Sequence, residues 1–80
     1  MESIETNKVY DGIQYVYTYE NGYGASVVKH EYSYGGKKGL WELAVQKDGE
    51  LTYDTHITSD VIGHLEWNDV LNILEDIKAL

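Results

Sequence analysis

The stretch Tyr23–Gln46, YGASVVKHEYSYGGKKGLWELAVQ, decides the fold. It reads as a strand, a glycine-lysine loop and a second strand carrying Trp41. In Leu40–Gln46 apolar and polar residues alternate. Trp41, Leu43 and Val45 share one face, and Leu40, Glu42, Ala44 and Gln46 the other. The first set is expected to face the core. Ala25–Tyr34 reads as a longer strand, with Ala25, Val27, Lys29, Glu31 and Ser33 on one side and Ser26, Val28, His30, Tyr32 and Tyr34 on the other. Neither side is purely apolar. That pattern fits a strand covered in part on both faces, or one shifted by a bulge hosted at Gly22 or Gly24. Between the two strands, Gly35-Gly36-Lys37-Lys38-Gly39 has three glycines in five positions and reads as a mobile hairpin loop.

The flanking segments extend this hairpin. Asp11-Gly12 is a tight-turn signal, because the pair tolerates the positive backbone angles of a two-residue turn. It predicts strands at Glu5–Tyr10 and Ile13–Tyr19, the second with Ile13, Tyr15, Tyr17 and Tyr19 on one face. Asn21-Gly22 marks the next turn. After Gln46, Asp48-Gly49 predicts another turn and Leu51–Tyr53 a short edge strand. Thr58-Ser59-Asp60 offers capping side chains, and a single helical turn is expected at Val61-Ile62 before Gly63. Trp67, Val70, Leu71, Leu74 and Ile77 then recur at helical spacing, which predicts a helix over Glu66–Ala79.

The expected architecture is α+β. An antiparallel β-meander of four to five strands carries a C-terminal α-helix packed on one face, in a single domain over residues 1–80 with residues 1–4 frayed. Trp41, Leu43, Val45, Trp67, Val70, Leu71, Leu74 and Ile77 are expected to dominate the core. A 14-residue helix, about 21 Å long, cannot cover both faces of a sheet. The uncovered face is expected to carry several tyrosines.

Composition narrows the function. Fourteen acidic residues stand against six basic ones, all lysine, for a net charge of −8. Such a field repels phosphate backbones, and no arginine is present to grip them bidentately, so direct nucleic-acid binding is not expected. The same field suits a basic protein partner, or imitation of a polyanion; the plainer reading is that it keeps a small protein soluble. The absence of cysteine excludes disulfides and thiolate metal sites and favours a reducing setting. MESIETNK lacks the basic and apolar regions of a signal peptide, and no apolar run approaches the ~18 residues of a membrane span, so a cytoplasmic location is expected.

No catalytic set stands out. The four serines, Ser3, Ser26, Ser33 and Ser59, lie in no nucleophile elbow. Paired carboxylates are abundant, but a chain that buries only about 60–65% of its unfolded surface has little room for a walled pocket. Asp54, His56, Asp60, His64 and Glu66 invite a metal reading without showing any fixed ligand spacing. The glycine-lysine loop lacks the spacing of a phosphate cradle and precedes a strand where a P-loop precedes a helix. No enzyme activity, cofactor or metal is therefore expected.

Eight tyrosines and two tryptophans without phenylalanine point to surfaces that are half buried. Tyr15, Tyr17, Tyr19, Tyr32 and Tyr34, with Lys37 and Lys38 as the paired cations, form the candidate partner surface. Tyrosine is enriched at interface hot spots. The plainer reading is that these rings make cross-strand pairs on a half-solvated sheet.

The strings Asn21–Val28 (NGYGASVV), Ser33–Gly35 (SYG), Leu40–Val45 (LWELAV), Tyr53–Thr55 (YDT) and Ile57–Gly63 (ITSDVIG) resemble a group of small proteins encoded by bacteriophages and prophages. The likeness covers most of residues 8–80 and rests on turn and strand signatures. It implies a shared fold and a small product acting in an infected bacterial cell, with no activity or functional residue to carry over. The expectation is a non-enzymatic accessory protein that binds a host or phage protein, in its sharper form an anionic mimic of nucleic acid. The alternative is an assembly protein that self-associates through a tyrosine-rich sheet face. Neither requires a membrane.

Overall fold

The computed structural model describes residues 2–58 and 60–80. Seven elements carry the fold. They are β1 (Ser3–Val9), β2 (Gly12–Thr18), β3 (Tyr23–Lys29), β4 (Trp41–Lys47), β5 (Glu50–Leu51), β6 (Ile62–Leu65) and α1 (Trp67–Lys78). The first five strands form an antiparallel meander in spatial order. β6 joins beside β4, making a six-stranded sheet. With α1 on one face this is an α+β domain, as expected.

The core follows from pairing register. Ala25 lies opposite Val45, and Val27 opposite Leu43. These four side chains are fully buried against Val70, Leu74 and Ile77 of α1. Trp41, Leu43 and Val45 thus face the core as their alternation predicts. The β2–β3 register then sets the tyrosines. Tyr15 pairs with Val27 and Tyr17 with Ala25, so both rings lie on the helix side of the sheet. This corrects the expectation that tyrosines coat the uncovered face. That face instead carries Val16 and Val28 among polar side chains. Asn7 donates to Glu5 and Gln14 (2.9 and 3.1 Å), and Gln14 donates to Ser26 (2.8 Å).

α1 lies within one residue of its predicted bounds. Glu66 is its N-cap, and the Asp69 carboxylate accepts the Glu66 N–H at 3.0 Å, one half of a capping box. Its C-terminus is held from a distance of 56 residues in sequence. The Asn21 side-chain amide lies 3.0, 3.2 and 3.3 Å from the carbonyls of Ile77, Lys78 and Leu80. The Asn21 Oδ1 meanwhile accepts the Tyr23 N–H at 2.9 Å. One side chain therefore shapes the β2–β3 turn and donates to the carbonyls at the end of the helix, among them those of Lys78 and Leu80.

Several boundaries differ from expectation. Ser3 and Ile4 are paired with Thr18 and Tyr17 rather than frayed. The first hairpin loop is Tyr10-Asp11, with Tyr10 at φ 54° and Gly12 already in β2. A Cβ at Gly12 would lie 1.8 Å from the Lys29 carbonyl oxygen, so close approach of β3 requires glycine there. Asp48-Gly49 forms its predicted turn with positive φ at both residues. β5 ends at Leu51, short of Tyr53. No register shift occurs beside Gly22 or Gly24; the irregularity lies between β4 and β6. β3 stops at Lys29 instead of reaching Tyr34, because local hydrogen bonds around Ser33 turn the chain.

The helical turn expected at Val61-Ile62 is replaced by β6. Ile62 and Leu65 complete the edge of β4 opposite Leu43 and Trp41. The capping stretch before it includes Ser59, which lies outside the described residues. Thr58 and Asp60 bond each other and start no helix. Trp67 and Leu71, expected in the core, are 38% and 44% exposed, because α1 rests on β3 and β4 and these side chains hang beyond that contact.

The Asn21 bracket makes a direct prediction. Asn21→Ala should lower unfolding free energy by about 1–2 kcal/mol, as loss of a cap does, with an unchanged urea m-value. Asn21→Asp should cost at least as much, since a carboxylate cannot donate and faces the negative helix end. A wild-type urea midpoint for both variants would contradict the bracket.

Candidate functional site

The sequence-predicted tyrosines and lysines separate into two places. Tyr15 belongs to neither. Its ring lies 5.7 Å from Trp41 and 5.9 Å from Trp67, and the two indoles are 5.0 Å apart. With the Lys29 ammonium 4.6 Å from the Trp41 ring, this wedge closes the gap between β2 and the start of α1. Its duty is structural.

Tyr17 and Tyr19 face the first place. Beyond the aromatic wedge, α1 and the β1–β2 hairpin part, leaving an open groove of about 700 Å³. Ile4, Tyr17, Tyr19, Leu71 and Leu74 form its apolar walls, and Ser3, Glu2, Glu75 and Lys78 add polar groups. Ile4 is 64% exposed. Tyr19 is only 7% exposed, and its ring stacks 6.4 Å from that of Tyr17. Lys78 lies 5.3 Å from the Tyr19 ring and pairs with Glu75 at 3.3 Å. Burial pushes the Tyr19 hydroxyl up from 10.0 to about 12, with smaller contributions from Tyr17, Glu75 and Glu2. Burial likewise raises Tyr17, helped by Tyr15.

Tyr32, Tyr34, Lys37 and Lys38 lie at the second place, the end of the sheet where the β1–β2 and β3–β4 connections meet. Sequence reasoning missed Tyr10, which joins them there. Its ring packs 4.9 Å from Tyr32 and 5.0 Å from His30. The missing signal is three-dimensional, since only the paired hairpins bring Tyr10 to residue 30. Tyr10, Tyr32 and Tyr34 are 66%, 69% and 61% exposed. The chain that carries Tyr32 and Tyr34 is nevertheless held by hydrogen bonds to its backbone. Ser33, the buried polar residue of the chain among those described, donates to the His30 carbonyl at 2.9 Å and accepts the His30 N–H at 3.0 Å. His30 Nδ1 accepts the Tyr32 N–H, Asp11 Oδ1 the Glu31 N–H and Glu42 Oε1 the Tyr34 N–H, at 3.1, 2.9 and 3.1 Å.

The glycine-lysine segment is thus a hydrogen-bonded turn, not the loose hairpin loop its composition suggested. Gly36–Lys38 forms one 3-10 turn between Gly35 and Gly39 in left-handed conformation. A Cβ at Gly36 would lie 1.8 Å from the His30 carbonyl oxygen. Lys37 and Lys38 rim a shallow hollow of about 310 Å³ shared with Glu31, Ser33, Tyr34 and His64.

The tyrosine-covered open sheet face, on which self-association would rest, is not formed, since Tyr15 and Tyr17 lie on the helix side. Among the described residues no three His, Asp or Glu side chains converge as metal ligands, and no helix is long and apolar enough to cross a membrane. No protein family, curated protein or solved structure matches this chain at a significant level.

The raised Tyr19 pKa gives a pH dependence with a defined sign. In the unfolded chain Tyr19 loses its proton near 10, while in the folded chain it keeps it to about 12. The stabilisation is complete below pH 10 and fades as pH rises through that window. Urea midpoints should fall across it, and Tyr19→Phe should flatten the fall. An equal fall in Tyr19→Phe would contradict this placement of the ring.

Proposed function

We propose that this protein acts by binding a protein partner, without catalysis, through the aromatic end formed by Tyr10, Tyr32 and Tyr34 with Lys37 and Lys38. The observation that carries the proposal is the state of those three rings. They are large and more than 60% exposed, the Tyr10 ring packs on Tyr32 and His30, and the backbone N–H groups of Tyr32 and Tyr34 are tied to His30 and Glu42, yet the rings contribute nothing to the core. Aromatic rings held ready at low entropic cost are the usual anchors of a binding surface. The net charge of −8 favours a partner with a basic face, and in the sharper form the acidic body occupies the nucleic-acid site of such a protein. The lysine pair marks one end of an otherwise acidic body and would orient the docked partner. The resemblance to phage-encoded proteins supports a host or phage protein in the bacterial cytoplasm as that partner.

The test separates binding from folding. Tyr10→Asn, Tyr32→Ala and Tyr34→Ala are combined, asparagine being used because Tyr10 sits at positive φ. The variant should fold with stability near wild type, since exposed substitutions shift it by about 0.5 kcal/mol or less each. Recovery of a basic partner from bacterial lysate at low salt should fall by about tenfold or more, and high salt should weaken the wild-type complex. Undiminished recovery by the variant would overturn the surface. Recovery of no nucleic-acid-binding protein at low salt would overturn the mimic.

A further inference from the structure

β1 ends the sheet. It pairs with β2 alone, so its other edge presents backbone N–H and C=O groups for a further strand. Such edges are commonly blunted by covering them or by charge on both faces. Here the two faces of β1 differ. On the helix side Ile4, Thr6 and Lys8 follow one another, and Ile4 opens directly into the 700 Å³ groove. On the other side stand Ser3, Glu5 and Asn7, with Glu5 held by the Asn7 amide at 2.9 Å.

A strand laid beside β1 would therefore meet two environments in strict alternation. Side chains on the helix side would enter an apolar trough between Ile4, Tyr17 and Leu71. Those on the other side would stand next to Glu5. The carboxylates of Glu2 and Glu75 border the trough, and Lys78 is already paired with Glu75. Lys8, at the far end of β1, is the other cation on this edge.

We propose that the β1 edge and its groove form a strand-addition site for an extended peptide that alternates apolar and basic residues. Main-chain pairing supplies the attachment, the groove selects apolar side chains on the helix side, and Glu5 selects basic ones on the other, favoured by the net charge of −8. A second copy of this chain is the weaker occupant, because two bodies of charge −8 repel one another. The site is separate from the Tyr10–Tyr32–Tyr34 surface, and either can fail alone.

Amide chemical shifts of the labelled protein, titrated with a capped peptide of about eight residues alternating valine and lysine, test the site. Shifts should appear in Ser3–Val9 and around Leu71 and Leu74, and should weaken with added salt. A valine–glutamate peptide of the same length should leave them unchanged. Ile4→Lys, a substitution at an exposed position, should weaken binding about tenfold or more while preserving the folded spectrum, and Glu5→Lys should do so through charge alone. Shifts confined to Tyr10, Tyr32 and Tyr34, equal binding of both peptides, or β1 shifts that follow protein concentration without peptide would each overturn the proposal.

Discussion

A helix about 10 Å across covers roughly two strands of a sheet whose strands lie about 4.8 Å apart. The described residues hold one α-helix, of 12 residues, and a sheet five strands wide along its meander. α1 rests on β3 and β4, where Ala25, Val27, Leu43 and Val45 pair and are fully buried. The β1–β2 hairpin continues the same sheet face past the edge of the helix. The aromatic wedge and the groove follow from that shortfall. The described residues supply no second α-helix, so side chains close what α1 leaves open.

Tyrosine suits that duty. Its ring buries apolar area while its hydroxyl stays at water, so a half-covered position suits tyrosine better than phenylalanine. Tyr15 completes the wedge with Trp41 and Trp67, and Tyr17 and Tyr19 line the gap where closure stops. Lys29 and Lys78 lie over Trp41 and Tyr19, adding cover from the long lysine stems. Asn21 fixes how far the helix can shift across the sheet, because it ties the helix C-terminus to the β2–β3 turn. The groove is thus the remainder left by covering a wide sheet with one helix. The Tyr10–Tyr32 end has a different origin, in chain reversals pinned by Ser33 and Asp11.

The alternation of Trp41, Leu43 and Val45 and the period of α1 made the core legible, because burial on one face leaves a direct mark on residue order. The tyrosines of β2 were harder to place. Their shared face is visible in sequence, but which side of the sheet it joins depends on how the Asn21-Gly22 turn registers β2 against β3. That turn pairs Tyr17 with Ala25 and brings the rings under the helix side. β6 was illegible for a related reason: Ile62-Gly63-His64-Leu65 is too short to show a period, and its partner strand is distant in sequence. Of the candidate surface, Tyr34, Lys37 and Lys38 border one hollow, while Tyr32 packs on Tyr10. Tyr10 and the groove depend on tertiary placement, which leaves no mark on local pattern.

Aromatic ring contacts in solution test most directly the claim that tyrosines close the helix-side face. Nuclear Overhauser spectra should connect the Tyr15 ring to both Trp41 and Trp67, whose ring centres lie 5.7 and 5.9 Å away. A Tyr15 ring that shows contacts with Val16 and Val28 neighbours on the opposite face, and none with either tryptophan, would contradict the account.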